Sequence, residues 1–130
     1  FAGFSNREPW LPIPPLSTAY NVNAQSVNPN SFLVLYRTLI HYRNNSTPLR
    51  FGAYNPLSLS HNSIFGYERV YNGEKIAVFL NFSAQQQQLF LEGRRVRAII
   101  STYLDQQRGT QIDLNRLSLR PNEGLLCEFM

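Results

Sequence analysis

Eight carboxylates are the side chains of this sequence that could carry acid–base or nucleophilic chemistry. They are Glu8, Glu68, Glu74, Glu92, Asp105, Asp113, Glu123 and Glu128. Cleavage of a glycosidic bond needs two carboxyl groups flanking the bond, one of them in a setting that raises its pKa. All eight fall in expected turns, on expected strand faces or in the proline-rich start of the chain, and none is flanked by the aromatic and small residues of a buried site. The sequence therefore favours solvated carboxylates over a catalytic pair.

Hydroxyl and imidazole side chains near position 60 form a second candidate. Ser60 and Ser63 flank His61 in a loop, but a nucleophile and its base need a tertiary arrangement, and no glycine elbow is present. His41 falls on the polar side of an expected helix. Two histidines and one cysteine, Cys127, leave no ligand set for zinc and no intramolecular disulfide. The sequence predicts no catalytic residue, no metal and no cofactor.

The positive charge is modest and scattered. The net charge is +4, and only Lys75 among the twelve basic residues is a lysine. One cluster, at Arg94, Arg95 and Arg97, fits either a phosphate-binding patch or the solvated start of a strand, and the second interpretation is favoured. No uninterrupted apolar run is long enough for a transmembrane helix. We therefore predict neither a nucleic acid nor a membrane as partner.

Surface aromatic residues and glycosylation motifs are weaker signals. Four tyrosines could stack on sugar rings as in a carbohydrate-binding module: Tyr54, Tyr67, Tyr71 and Tyr103. At strand spacing, core or cross-strand packing is the favoured interpretation. Asn44, Asn45 and Asn81 begin Asn-x-Ser/Thr motifs, which accept glycans only in a secreted protein. For Asn81, capping of a turn at a strand end is an ordinary role.

The elements that would position these side chains change along the chain. With 130 residues and 43% hydrophobic content, the chain is the size of one domain and is not a disordered tail. Residues 1–30 hold five of its eight prolines and several aromatic residues, which predicts an irregular segment lying across something larger. Apolar spacing predicts one α-helix over residues 31–43, capped by Asn30 or Ser31 and ended before Pro48.

From Leu49 onward the pattern is typical of short strands separated by turns. The predicted strand segments are Leu49–Leu59, Ile64–Tyr71, Lys75–Phe82, Leu89–Glu92, Val96–Thr102, Ile112–Leu114 and Leu125–Phe129. Asn72-Gly73 predicts a type I′ hairpin in which Tyr67 faces Val78 and Phe65 faces Leu80. The fold class is mainly β: an antiparallel, Greek-key-like β-sandwich of about seven or eight strands, preceded by an irregular proline-rich segment and one α-helix.

Several motifs, in this order, resemble the end of α-glucosidases of the α-amylase superfamily. Gly3–Ser5, Pro9–Ile13 and Tyr20–Gln25 resemble the segment after the eighth barrel strand, and Asn28–Arg43 resembles the last barrel helix. Phe65–Tyr67, Asn72–Lys75 and Val78–Ser83 are similar to the first part of the C-terminal sandwich, and Leu119–Gly124 to the approach to its final strand. The resemblance spans essentially the whole chain.

The resemblance implies a division of the chain and a role. Residues 1–48 would be the tail of a catalytic (β/α)8 barrel, and residues 49–130 a C-terminal β-sandwich domain. The family's two catalytic aspartates and one glutamate lie in barrel motifs without a counterpart here, so no catalytic residue is carried over and the substrate-binding residues stay unknown. The implied function is that of the non-catalytic C-terminal portion of a retaining α-glucosidase-like glycoside hydrolase acting on α-linked gluco-oligosaccharides. Its part would be to close and stabilise the barrel.

The partners implied are the missing barrel of the same protein, α-glucosidic saccharides bound by that parent, and a second copy through an exposed helix face. Two alternatives stay open: a free-standing β-sandwich carbohydrate-binding module, and a non-enzymatic relative such as a transporter heavy-chain ectodomain. Sequence upstream of Phe1 would discriminate among them. A lone cysteine, Cys127, fits the cytoplasm, which is the expected location.

Overall fold

The structure, a computed structural model, describes residues 5–59, 61–91, 95–105 and 111–130. The chain divides into two compact units, one that runs up to His41 and one that covers Tyr42–Met130. The second unit contains two antiparallel sheets, which confirms the predicted mainly β sandwich. None of the helices within these described ranges is long and apolar enough to cross a membrane.

Two short helices precede the long one, so the start of the chain is less irregular than predicted. Helix α1 covers Ser17–Tyr20 and helix α2 covers Val22–Val27. The physical reason is the spacing of the prolines, which stop at Pro15 and resume at Pro29. A proline opposes a helix where it removes a donor and clashes with the preceding turn. The proline-free stretch between these two residues is therefore able to form helical turns.

Helix α3 covers Phe32–Asn44, in agreement with the helix predicted over residues 31–43. Ser31 caps its start, because the Ser31 hydroxyl accepts the backbone N–H three residues later at 3.2 Å. A second cap comes from Gln25, whose Oε1 accepts the N–H of Leu33 at 3.1 Å. The first amides of a helix have no partner within it, so these two side chains satisfy donors that would otherwise be unpaired.

A fourth helix, α4, covers Thr47–Phe51, where the sequence predicted the first residues of the strand segment Leu49–Leu59. Pro48 lies in its first turn, where the missing N–H costs no intrahelical bond. Strand β1 is confined to Ala53–Pro56. Gly52 ends the helix, and a Cβ at that position would lie 2.5 Å from the carbonyl oxygen of Pro48. The tight passage from helix to strand therefore requires glycine.

The larger sheet contains six strands. Besides β1 they are β2 (Ile64–Tyr71), β3 (Glu74–Asn81), β5 (Arg95–Ser101), β6 (Gln111–Asp113) and β8 (Gly124–Phe129). Their order is β1-β2-β3-β8-β5-β6, with antiparallel neighbours throughout. The predicted hairpin joins β2 and β3, and Asn72 and Gly73 take φ values of 48° and 86°. Tyr67 pairs with Val78, as predicted, and the pair of Phe65 with Leu80 is also confirmed.

The smaller sheet pairs β4 (Gln87–Leu89) with β7 (Leu117–Leu119). The strand predicted at Leu89–Glu92 therefore ends where it was expected to begin; Glu92 lies outside the described residues. Leu89 is the apolar residue that reaches the core, and the preceding glutamines, rather than the following residues, form the strand. Strand β7 has only three residues and was not predicted.

The core of the second unit lies between the two sheets. From the larger sheet it takes Ile64, Ala77, Phe79, Val96, Ala98, Leu125 and Cys127, and from the other side it takes Leu89, Leu114, Leu117 and Leu119. Leu114 belongs to a 3-10 turn, Leu114–Arg116, which follows β6. Leu117 and Leu119 are buried while Ser118 between them is exposed, as alternation along a strand requires.

Candidate functional site

Arg120 joins two carboxylates at the end of β7. Its guanidinium donates to Asp105 through Nη1 at 2.5 Å and Nη2 at 2.9 Å. On the other side it donates to Glu123 through Nη2 at 2.6 Å and Nε at 3.2 Å. Glu123 is only 3% exposed, and it also accepts the hydroxyl of Ser101 at 2.5 Å. These groups form the most developed polar network of the described β unit.

The electrostatics of this network keep both acids ionised. Burial acts to raise the pKa of Glu123, but the hydrogen bonds from Arg120 and Ser101 outweigh it, and the net pKa is lowered. The hydrogen bond from Arg120 likewise lowers the pKa of Asp105. A catalytic acid needs a raised pKa so that it holds a proton near neutral pH. Neither carboxyl group meets that requirement, so the network acts as a structural clamp.

Tyr103 completes the clamp from the side. The guanidinium carbon of Arg120 lies 3.9 Å from the centre of the Tyr103 ring. The phenol hydroxyl of Tyr103 donates to the carbonyl of Pro121 at 2.8 Å. An Arg stacked on an aromatic face is a stabilising contact, and it occupies one face of the ring. These contacts favour the packing interpretation of Tyr103 over sugar stacking.

The motif Leu119–Gly124 resembles the approach to the final strand of the family's sandwich, but its sequence does not by itself predict this network. Arg120 and Glu123 are three residues apart, which could have suggested an ion pair across a turn. The turn also uses Asn122, which has a φ of 54°, a left-handed conformation that Asn tolerates better than most residues. Asp105 and Ser101 are 15 and 19 residues away from Arg120 in the sequence, and no local pattern predicts that they contact it.

The other tyrosines pack across strands, as the favoured interpretation expected. The ring centroids of Tyr54 and Tyr67 lie 5.2 Å apart, and those of Phe65 and Tyr67 lie 6.0 Å apart. Tyr71 contacts Phe51 of α4, with 6.4 Å between centroids. The interplanar angles of these pairs are 37°, 46° and 50°. The rings of each pair are tilted relative to each other, so these pairs do not form a flat surface on which a sugar ring could stack.

The candidate hydroxyl–imidazole site near position 60, which the sequence did not favour, is not assembled in the described residues. Nδ1 of His61 accepts the backbone N–H of Ser63 at 3.2 Å, which closes a local turn. Ser60 lies outside the described residues, and His41 is exposed on α3. Within those described ranges, no group of three or more His, Cys, Asp or Glu side chains is placed to hold a metal ion.

Other carboxylates and arginines whose side chains the structure describes are at the surface or in ordinary pairs; the side chain of Asp113 lies outside that description. Glu128 pairs with Arg97 across β8 and β5, and Arg95 is exposed; Arg94 lies outside the described residues. Glu68 accepts from the amide of Asn55 at 3.3 Å. Glu8 and Glu74 are exposed, and Glu92 lies outside the described residues. The solvated-strand interpretation of the arginines holds for Arg95 and Arg97.

Asn81 has the capping role proposed for it. It is 3% exposed, and its Nδ2 donates to the carbonyls of Gln85 and Arg120, both at 2.8 Å. Its Oδ1 accepts the N–H of Ser83 at 2.9 Å. A side-chain nitrogen in this position is inaccessible to a glycosylating enzyme. The other two motif residues, Asn44 and Asn45, are exposed at the end of α3.

Comparison with known proteins identifies the family. Oligo-1,6-glucosidase of Bacillus cereus is 31% identical over 98% of this chain and 23% of its own length. The solved trehalulose synthase of Pseudomonas mesoacidophila MX-45 is 26% identical, with a TM-score of 0.79 over 99% of this chain and 23% of the enzyme. The chain belongs to the α-amylase superfamily. No protein-family model matches it.

The match is to a segment of longer proteins. The chain spans about a quarter of the length of these relatives, and the matched part corresponds to their C-terminal segment. A further relative is the amino acid transporter heavy chain SLC3A2 of Oryctolagus cuniculus, 30% identical over 92% of this chain and 24% of its own length. The superfamily membership predicted from the sequence motifs is confirmed, and the segment is related to the C-terminal portion of glucosidases.

Proposed function

We propose that this chain is the non-catalytic C-terminal portion of an α-glucosidase-like glycoside hydrolase that acts on α-linked gluco-oligosaccharides by a retaining mechanism. Its role is to close and stabilise the catalytic barrel of the same protein. Residues 1–48 supply the last barrel loop and helix, and residues 49–130 supply the sandwich. A cytoplasmic location is part of the same proposal.

The observation that carries the proposal is an apolar stripe on α3 that faces solvent. Phe32, Tyr36 and Ile40 follow one another at intervals of four residues, and their exposed fractions are 71%, 63% and 56%. Residues at this interval lie on one face of a helix. Burial of such a side chain contributes about 1.5–3 kcal/mol. A helix with this stripe is suited to packing against a partner such as the outer wall of a barrel.

The loop before α1 has the same character. It forms a hollow of about 450 Å³ lined by Pro9–Pro14, Ser17 and Asn21. Trp10 on its rim is 90% exposed. A tryptophan is among the residues most often found at the centre of an interface, because it buries a large apolar area. We infer that this loop and the α3 stripe belong to one covered surface in the parent protein.

The acids that the fold brings together support the non-catalytic role. Asp105 and Glu123 share Arg120, and the pKa values of both carboxyl groups are lowered. A retaining glycosidase needs one carboxyl group that stays protonated long enough to protonate the leaving oxygen. The clamp provides the opposite electrostatic setting, so the reaction is assigned to acids of the barrel.

The match to a transporter heavy chain favours a second candidate, a non-enzymatic member of the superfamily. That relative is 30% identical over 92% of this chain, close to the 31% of the Bacillus cereus glucosidase. A C-terminal segment that closes a barrel would have the same architecture whether or not the barrel keeps its acids. The two candidates differ in the barrel and agree on the role of this chain.

Expression of the full open reading frame that contains this chain tests the proposal. Release of an aryl α-glucoside is expected from the full protein and not from the 130-residue chain. Tyr36→Glu should lower the unfolding free energy of the full protein by about 2 kcal/mol, because it places a charge in a covered apolar face. Arg37→Glu, at the next and also exposed position of α3, is the matched control. Equal stability of the two variants would contradict the covered face, and a silent full protein would favour the non-enzymatic candidate.

A further inference from the structure

A groove of about 660 Å³ runs along β4 and the two residues that follow it. One wall is formed by residues 86–91, and the other by Ser58, Leu59 and His61. Small-molecule sites usually have volumes of about 300–1,000 Å³. The groove is thus of a size to hold a ligand, and none of the residues discussed above as the clamp of Arg120 lines it.

The lining combines polar and apolar side chains, and its described members carry no fixed charge. Among the described residues that line the groove there is no Asp, Glu, Lys or Arg. Gln86 and Gln88 are exposed, and each side-chain amide has both donors and an acceptor. Nδ1 of His61 accepts a backbone N–H, so in the neutral imidazole Nε2 carries the hydrogen and is a donor. Such a lining matches a neutral ligand that has many hydroxyl groups and would leave a charged ligand without a counter-charge.

Phe90 adds an apolar surface beside these amides. Its side chain is 66% exposed, whereas Leu89 next to it is 3% exposed. Gln88 and Phe90, the neighbours of Leu89 in the chain, are both exposed and both line the groove. The faces of sugar rings that carry C–H groups pack on aromatic rings, while their hydroxyls reach neighbouring amides. An exposed phenylalanine flanked by glutamines offers both kinds of contact.

Two side chains of the wall formed by residues 86–91 are held in place before any ligand binds. Nε2 of Gln86 donates to the hydroxyl of Ser118 on β7 at 2.7 Å. Nε2 of Gln87 donates to Ser83 at 2.9 Å. A side chain that is already ordered loses less conformational freedom on binding. These bonds order the side chains of Gln86 and Gln87 in the free chain.

We propose that this groove binds a neutral gluco-oligosaccharide. The ligand class rests on the proposed function, and the site rests on the lining chemistry described above. A peptide that adds a strand to β4 is the less suitable occupant, because β4 has three residues and offers few backbone groups for pairing.

A titration of the ¹⁵N-labelled 130-residue chain with isomaltotriose, read by amide chemical shifts, tests the proposal. We expect shifts at residues 86–91 and at His61, with a Kd of about 1 mM, in the weak range of small-ligand binding. Phe90→Ala should weaken binding about tenfold, the loss expected for one aromatic contact. Phe82→Ala is the matched control, because Phe82 is 71% exposed and lies outside the lining. Gln88→Ala is a second variant; the Gln88 side chain is exposed and lies outside the core, so its removal should leave the fold intact.

Three results would overturn the proposal: no shifts with isomaltotriose or maltotriose, shifts that Phe90→Ala and Gln88→Ala leave unchanged, or saturable shifts at residues 86–91 with a Thr-Val-Thr-Val peptide alone. The readout is independent of hydrolysis. A full protein without glucosidase activity whose groove still binds the trisaccharide would contradict the proposed function and support the groove. A full protein with glucosidase activity whose groove does not bind the trisaccharide would support the proposed function and contradict the groove proposal.

Discussion

The guanidinium of Arg120 donates to the buried carboxylate of Glu123 at 2.6 Å across a turn of three residues. Because Glu123 is 3% exposed, its charge depends on this partner for compensation. The same guanidinium reaches Asp105 and stacks on Tyr103, so one side chain ties β5, β7 and the start of β8 together. This relationship makes the Leu119–Gly124 motif a structural element of the sandwich.

Arg120→Met is expected to destabilise the chain by about 3 kcal/mol, since removal of one partner leaves a buried charge without compensation. Arg97→Met is the matched control: its partner Glu128 is 38% exposed, and an exposed pair contributes about 0–1 kcal/mol. Urea unfolding of both variants, followed by circular dichroism, measures the difference. Equal losses in the two variants would contradict the clamp.

The clamp also predicts a loss of stability in acid. The folded-state pKa values of Glu123 and Asp105 are lowered, so both groups contribute stability above their unfolded values, about 4. That stability is lost as pH falls through the lower folded values. The free energy of unfolding should therefore be constant from neutral pH to about pH 5 and fall below it. Urea midpoints at a series of pH values check this, and the Glu123→Gln variant should show a shallower acid slope than the parent.

The β2–β3 hairpin depends on left-handed backbone at its turn. Gly73 has a φ of 86°, and a β-branched residue resists that conformation. Gly73→Val should lower the unfolding free energy by about 1 kcal/mol or more. No neighbouring atom lies within 4 Å of a Cβ built at Gly73, so the loss would come from backbone strain and not from a clash. Glu74→Val, in the adjacent exposed strand position, controls for the added side chain, and identical urea midpoints would show that the turn tolerates valine.

How far the sequence predicts this structure depends on how local each feature is. The hairpin was predictable to the residue, because Asn72-Gly73 and the flanking apolar pattern lie within one short stretch. The clamp was not predictable from the sequence. Asp105 follows β5 of the larger sheet and Arg120 follows β7 of the smaller sheet, so the two residues meet only in the folded sandwich. Strand β7 is three residues long, too short to show a period. Its place is set by the burial of Leu117 and Leu119 in the core, a tertiary effect.

Cys127 should be unreactive in the folded chain. Burial raises the pKa of its thiol to about 12, and the thiolate is the reactive form. The cysteine is buried in the core between the sheets, and the chain has no other thiol. Thiol titration with Ellman's reagent at about pH 8 should give no colour on the time scale of a free cysteine, whose pKa is about 8.5, and one equivalent in urea. Rapid reaction without denaturant would mean that β8 opens readily.

Limited proteolysis separates the two units. The apolar stripe of α3 and the exposed Trp10 predict that residues 1–48 of the isolated chain are either mobile or held by self-association, while the sandwich folds alone. The structure sharpens the expected boundary. Pro48 and Leu49 are buried in the unit that begins at Tyr42, and the carbonyl of Gly52 accepts two bonds from Arg69, at 2.7 and 3.1 Å.

Trypsin should therefore cut first after Arg7, Arg37 or Arg43 and leave Arg50 intact within a stable core, because cleavage requires the local chain to open and α4 is tied to β2. If the stripe instead mediates a dimer, sizing chromatography should show that Ile40→Glu converts it to a monomer while Arg37→Glu does not. Early cleavage after Arg50 would place the boundary beyond α4. A monomer whose first 48 residues resist trypsin as well as the strands do would contradict the missing partner and favour a self-sufficient binding module.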